Sequence, residues 1–155
     1  METRSMPSPS ATPADIVAWL EAHCRAWNED DVPGMFATAA PDLHWVNVVG
    51  MHWHGRDASI AAHVAFFRQM FAGVPLTLAA IESVTAVDVN VRVVVVRWQV
   101  GDYVVPTGEV IAGEENRMSL VFSGSDDALR LRHVANVRID PIAARHDPVH
   151  SMNAG

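Results

Sequence analysis

Trp45-Val46-Asn47-Val48-Val49-Gly50-Met51-His52-Trp53-His54-Gly55-Arg56 is the stretch whose reading decides the fold. It reads as a strand, a tight turn at Gly50, a second strand and the start of a helix. Strand alternation puts Leu43, Trp45 and Asn47 on one face. Asparagine is disfavoured in a strand interior, so an inward Asn47 beside an inward tryptophan points to a pocket wall. The alternative is an amide that satisfies the hairpin's own backbone.

Working outward, Thr12-Pro13-Ala14-Asp15 is a helix start: a hydroxyl cap, a first-turn proline and a carboxylate at the positive end of the dipole. Ile16, Trp19, Leu20, His23, Cys24 and Trp27 then recur at helical spacing. Asp31 is expected to cap a short second helix with Pro33 in its first turn, Phe36 to plug the core, and Pro41-Asp42 to end that helix. A hairpin over 43–48 and 51–54 precedes a helix over 57–71. Its apolar stripe is Ile60, His63, Val64, Phe67 and Phe71, with Gly73 past its end. After Pro75 come β-type runs over 76–87, 91–100, 109–122 and 129–139, with a hairpin loop at 123–127. Residues 1–11 read as a disordered leader, 12–140 as one domain and 141–155 as a polar, His-rich tail. The order ααββαββββ argues for an α+β layer structure, a curved sheet wrapped over three helices.

Composition narrows the partners. The net charge is −7 and all eleven basic residues are arginine. Nucleic acid is therefore not expected, since phosphate neutralisation needs clustered cations. Without lysine there is no Schiff-base chemistry. No window approaches the ~20 apolar residues of a membrane span. The lone Cys24 cannot form an internal disulfide, which suits the cytoplasm. No serine triad, phosphate loop, dinucleotide fingerprint or carboxylate pair is visible, so no cofactor is expected.

The opening stretch, taken with Ala26-Trp27-Asn28-Glu29-Asp30-Asp31 and Phe36, resembles the SnoaL-like branch of the nuclear-transport-factor-2-like superfamily, most closely its SgcJ/EcaC group. The resemblance runs from Ala11 to Asp140. It implies a cone-shaped, curved mixed β-sheet over three helices, a cystatin-like α+β roll with a single pocket. In ketosteroid isomerase relatives an aspartate base follows the short second helix. Asn47 stands at that place, which removes the base but leaves an amide able to orient a carbonyl or hydroxyl through both halves. Arg97-Trp98 resembles a pair found in the group, and only one of the two can face inward. An inward Arg97 would hold an enolate, phenolate or carboxylate; an inward Trp98 would stack on a flat ligand. Val134-Ala135-Asn136-Val137 stands where the group has His-Asn-Thr, keeping only Asn136.

His63 is the titratable residue best placed for acid–base work, on the apolar stripe of the third helix. The alternative is a core histidine bonded to a carbonyl. His23 carries a similar argument. His52-Trp53-His54, with His44, has the form of a zinc or copper grip. Alternation, however, places Trp53 inside and both histidines outside, so no metal is expected. Trp27, Met35, Phe36, Trp45, Met51, Trp53, Phe67, Trp98, Met118 and Asn136 are the expected lining. The reading is then a cofactor-free cyclase, isomerase or dehydratase of secondary metabolism. It would move a proton on a planar, hydrophobic, polyketide-like substrate through His63, Asn47 and Arg97. A protein that binds such a ligand without turnover is the alternative. The valine run over 91–96 has too many outward apolar positions for a wet face, so a homodimer through the sheet faces is expected.

Overall fold

The structure is a computed structural model that describes residues 13–125 and 128–153. The leader over 1–11, the Thr12 cap and two residues of the 123–127 loop lie outside the described residues. The first helix, α1 (Pro13–Asn28), buries Ile16, Leu20 and His23 on one side. In α2 (Val32–Met35) the Asp31 carboxylate accepts the Gly34 N–H at 3.0 Å, with Pro33 in the first turn. The chain then runs through β1 (Ala39–Val46), β2 (His52–His54) and α3 (Arg56–Phe66), whose end widens into a π-helical turn at Phe67–Phe71. Next come β3 (Leu76–Asp88), β4 (Val91–Val100), β5 (Tyr103–Val104), β6 (Val110–Ile111), β7 (Glu115–Ser125) and β8 (Ala128–Arg138). Two short helices follow, α4 (Pro141–Ala144) and α5 (Pro148–Asn153).

The main sheet has the order β2-β1-β8-β7-β4-β3. Its pairs are antiparallel apart from β1 with β8, which run parallel. In β4 the alternation is clean: Val94, Val96 and Trp98 are at most 1% exposed, while Val91, Val93 and Val95 look out from the other face. This is the α+β layer structure expected from the element order, in the rolled form that the family resemblance implies. Among the described residues no helix is long and apolar enough to cross a membrane.

Two boundaries differ from the sequence reading, and the tail gains structure on which the reading was silent. Pro41-Asp42 does not end a helix; it lies inside β1, where the pairing with β8 is irregular between Ala39 and His44. A proline without an N–H fits such a break in the ladder. The expected 109–122 strand is split, because Gly113 at φ +67° turns the chain between a small β5–β6 hairpin and β7. Beyond Pro141 the tail is helical at first, with Asp140 capping α4 through the N–H groups of Ile142 and Ala143.

The end of α1 is pinned to the start of β3. Asn28 accepts the Leu76 N–H at 2.8 Å and donates to the Leu76 carbonyl at 2.9 Å. Beside it the Trp27 indole donates to the Val74 carbonyl at 2.8 Å. Two lost hydrogen bonds of ~0.5–1.5 kcal/mol each give an expected cost of about 1–3 kcal/mol for Asn28→Ala in urea unfolding. An unchanged midpoint would show that this clamp contributes nothing.

Candidate functional site

Between the helices and the concave sheet face lies a cavity of about 190 Å³. Ligand pockets run to roughly 300–1,000 Å³, so this one suits a compact ligand rather than a long chain. Its walls come from α1 (His23, Trp27), α2 (Met35), the β1–β2 hairpin (Trp45, Asn47, Val48, Val49, Met51, Trp53) and α3 with its π turn (His63, Phe66, Met70, Phe71). The sheet side adds Leu76, Trp98, Met118, Asn136 and Arg138, and Tyr103 and Val105 close it. Val49 and Met51 are also exposed, 58% and 47%, and so mark the opening.

His63 is held on the wall by geometry that fixes its tautomer. Its Nδ1 lies 2.8 Å from the Ser59 carbonyl. A carbonyl only accepts, so Nδ1 carries the hydrogen and Nε2 is left with its lone pair. The rings of Trp45, Phe36 and Trp53 stand edge-on around it at 4.7, 5.1 and 5.6 Å. Burial lowers its pKa to about 4 against the opposing effect of the Ser59 bond, so the ring is neutral at pH 7. His23 faces the same cavity from α1, stacked on Trp19 at 5.0 Å. Burial, with His63 nearby adding to it, takes it to about 4 as well, against the opposing effect of a backbone hydrogen bond to Met35.

Three residues of the lining each carry a fully buried polar atom with no hydrogen-bond partner: His23 Nδ1, Trp98 Nε1 and Asn136 Oδ1. Each such atom costs ~1–3 kcal/mol of unmet desolvation. Asn47 is less free than the sequence suggested. Its Oδ1 accepts the N–H groups of Val49 and Met51 at 3.2 and 2.8 Å, which leaves only the Nδ2 amine for a ligand. The hairpin-backbone alternative thus accounts for the oxygen half of the amide, and orientation of a ligand through both halves is ruled out.

One end of the cavity is polar and was missed. Glu114, with a side chain 3% exposed, accepts from Tyr103 Oη at 2.7 Å, Asn116 Nδ2 at 3.1 Å and Arg138 Nε at 2.6 Å. Arg138 Nη2 also reaches Tyr103 Oη at 3.2 Å. Burial, with Glu114 adding to it, pushes the Tyr103 phenol up to about 12, which keeps its proton in place. Of this cluster, alternation along β8 could have placed only Arg138, two residues past Asn136 on the same strand face.

Three expected site residues fall elsewhere. Arg97 is on the outer face, paired with Glu115 at 3.2 Å, because β4 turns Trp98 inward. Phe36 and Phe67 are core: Phe36 backs Trp45 at 5.3 Å, and Phe67 lies edge-on to Trp27 at 4.7 Å behind the wall. Trp27, Met35, Trp45, Met51, Trp53, Trp98, Met118 and Asn136 line the cavity as expected. The histidines of β2 point outward, also as expected. His44, the third histidine weighed with them, meets them there, its Nδ1 lying 2.8 Å from His52 Nε2.

A search of curated proteins found no match. Among solved structures, the chain is similar to a Caulobacter vibrioides protein with a cystatin-like fold, at 34% identity over 88% of this chain and 95% of that one, TM-score 0.81. It shares its fold with a ketosteroid isomerase-like protein from Erwinia carotovora atroseptica (18% identity, 83% of this chain, 96% of that one, TM-score 0.68). The same holds for Aln2 from a Streptomyces species (18% identity, 87% of this chain, 97% of that one, TM-score 0.68). The family profile described as a SnoaL-like domain matches residues 20–129, and the chain belongs to that family.

Proposed function

We propose that the protein is a cofactor-free enzyme that moves a proton on a compact, planar, largely hydrophobic ligand bearing keto or hydroxyl groups, of the polyketide-like kind. The observation that carries this is a tryptophan-lined cavity whose lining residues hold three buried unpartnered atoms: one N–H donor, at Trp98, and two acceptors, at His23 and Asn136. An apolar ligand would leave all three unmet. A flat molecule with a carbonyl and hydroxyls meets them while stacking between tryptophans. The setting would be cytoplasmic secondary metabolism.

In the proposed step His63 Nε2 takes a proton from a carbon next to the ligand carbonyl, and the C–H electron pair becomes an enolate. The oxygen of that enolate is met by Trp98 Nε1 and the Asn47 amine. The imidazolium then returns the proton at a second position. Charging a ring whose pKa is about 4 costs about 3 kcal/mol relative to a free imidazole, and the adjacent enolate charge offsets it. Since the free enzyme's base is already unprotonated above pH 5, kcat/KM should stay flat from pH 8 downward and fall only near pH 4. A fall centred near 6.5 would assign the base to an exposed histidine instead.

No carboxylate lines the cavity among the described residues, and this favours the other reading, a protein that binds the ligand without turning it over. Tryptophan fluorescence titration with hydroxynaphthalene-type ligands tests the pocket itself. Saturable quenching is expected, weakened about 2–10-fold by His63→Ala through loss of one hydrogen bond. Arg97→Ala should leave it unchanged. Equal effects of the two changes would refute the assignment.

For assembly we propose a homodimer through the outer sheet face. There Val93, Val95, Val121 and Ala135 are only half-covered, and Val137 is 60% exposed. Light scattering should give twice the 16.9 kDa of one chain; a monomer mass at micromolar concentration overturns it.

A further inference from the structure

The outer face of the sheet carries a second cluster, separate from the cavity. Strand pairing sets His54 and His133 on either side of His44, while His52 sits two residues before His54 on the same face of β2. Side chains two apart on a strand point the same way, so the four imidazoles share one patch. Three of them converge. One ring nitrogen each from His44, His52 and His54 lies within 4.8 Å of the others. The ring centroids are 5.0, 4.8 and 4.1 Å apart.

We propose that His44, His52 and His54 form a site for a late first-row divalent metal ion, with zinc as the reference ion. An all-imidazole donor set with no carboxylate suits zinc, copper or nickel rather than magnesium or calcium. Two nitrogens each ~2.0–2.1 Å from a tetrahedral zinc stand about 3.3 Å apart. The observed closest pair, at 2.8 Å, is a shared-proton contact between two imidazoles. Replacing that proton by a metal needs about half an ångström of spreading there and a matching inward turn of His54. His52 and His54 are exposed side chains on a three-residue edge strand, so little packing opposes the movement. His52 and His54 are exposed in the single chain, at the sheet edge away from the valines of β4, which leaves a coordination position for water or an added ligand. Bound metal would clip β2 to β1, the hairpin that carries Asn47, Met51 and Trp53 to the cavity.

The test is calorimetric titration of zinc into the full chain, previously treated with a chelator, at neutral pH. One ion per chain is expected, with release of protons on binding. Cobalt in place of zinc should give the intense visible absorption of a low-symmetry, four- or five-coordinate site. Single changes His44→Ala and His54→Ala should each weaken binding by more than the roughly 10–100-fold that loss of an outer-shell partner costs. The His146→Ala/His150→Ala double change in the tail should leave it intact. Circular dichroism verifies that each variant is folded, and surface positions 52 and 54 give a second pair if His44→Ala is not. No saturable uptake of zinc overturns the proposal. So does uptake that survives His44→Ala and His54→Ala, or that is removed by the tail change.

Discussion

Acidifying the protein from pH 7 to about pH 4 is expected to remove several kcal/mol of folding stability, through His23 and His63 alone. Each ring has a folded pKa of about 4, burial being the main cause. In the unfolded chain each titrates near 6.5. Above that value neither state binds the proton and stability does not depend on pH through these groups. Between 6.5 and 4 the unfolded chain takes up protons that the native interior refuses, so stability falls as pH falls. Below about 4 both states are protonated and the loss levels off. A displacement of this size corresponds to about 3 kcal/mol for each ring, and their mutual repulsion makes the two losses interdependent. Urea unfolding at a series of pH values measures the slope directly, and His23→Gln or His63→Gln should each remove roughly half of it. A slope untouched by both changes would mean that the acid sensitivity lies elsewhere.

Trp98→Ala should be the most damaging single truncation, at about 3–5 kcal/mol. The side chain is 1% exposed, it is the largest fully buried one in the described chain, and it abuts the His23 ring at 5.9 Å. Its removal would merge new empty space with the cavity, where nothing can collapse to fill it. Trp98→Phe separates packing from polarity. It keeps most of the apolar area and deletes the unpartnered N–H, so it should unfold within about 1.5 kcal/mol of the parent. Affinity for a keto ligand should nevertheless fall, because the donor to the carbonyl is gone. A Phe variant as weak as the Ala variant would place the value of Trp98 in its indole shape alone.

The order of elements and most of the wall were legible because they rest on periodicity, while the curved sheet and its single pocket came from the family resemblance. The stripe of α1, the alternation through Trp45 and Asn47, and the Gly50 turn each fix which way side chains face. Arg97 was misplaced because either face of a strand run apolar on both sides can be the inner one, and only pairing with β7 and β3 decides it. The Glu114 cluster joins residues from β5, β7 and β8 through contacts 24 and 35 positions apart, which no local pattern reveals. The meeting of His44 with His52 and His54 depended on hairpin register, which the Gly50 turn sets.

The central claim is that this cavity transfers a proton from carbon to the His63 Nε2. It is tested most directly by hydrogen–deuterium exchange, followed by NMR, at the acidic carbon of a compact bicyclic aryl ketone such as a tetralone in heavy water. The intact protein should accelerate loss of the C–H signal above buffer, saturably with ketone, and His63→Gln should abolish the acceleration while the ketone still quenches tryptophan fluorescence. Saturable binding with no exchange above buffer, or exchange that persists in His63→Gln, would contradict it.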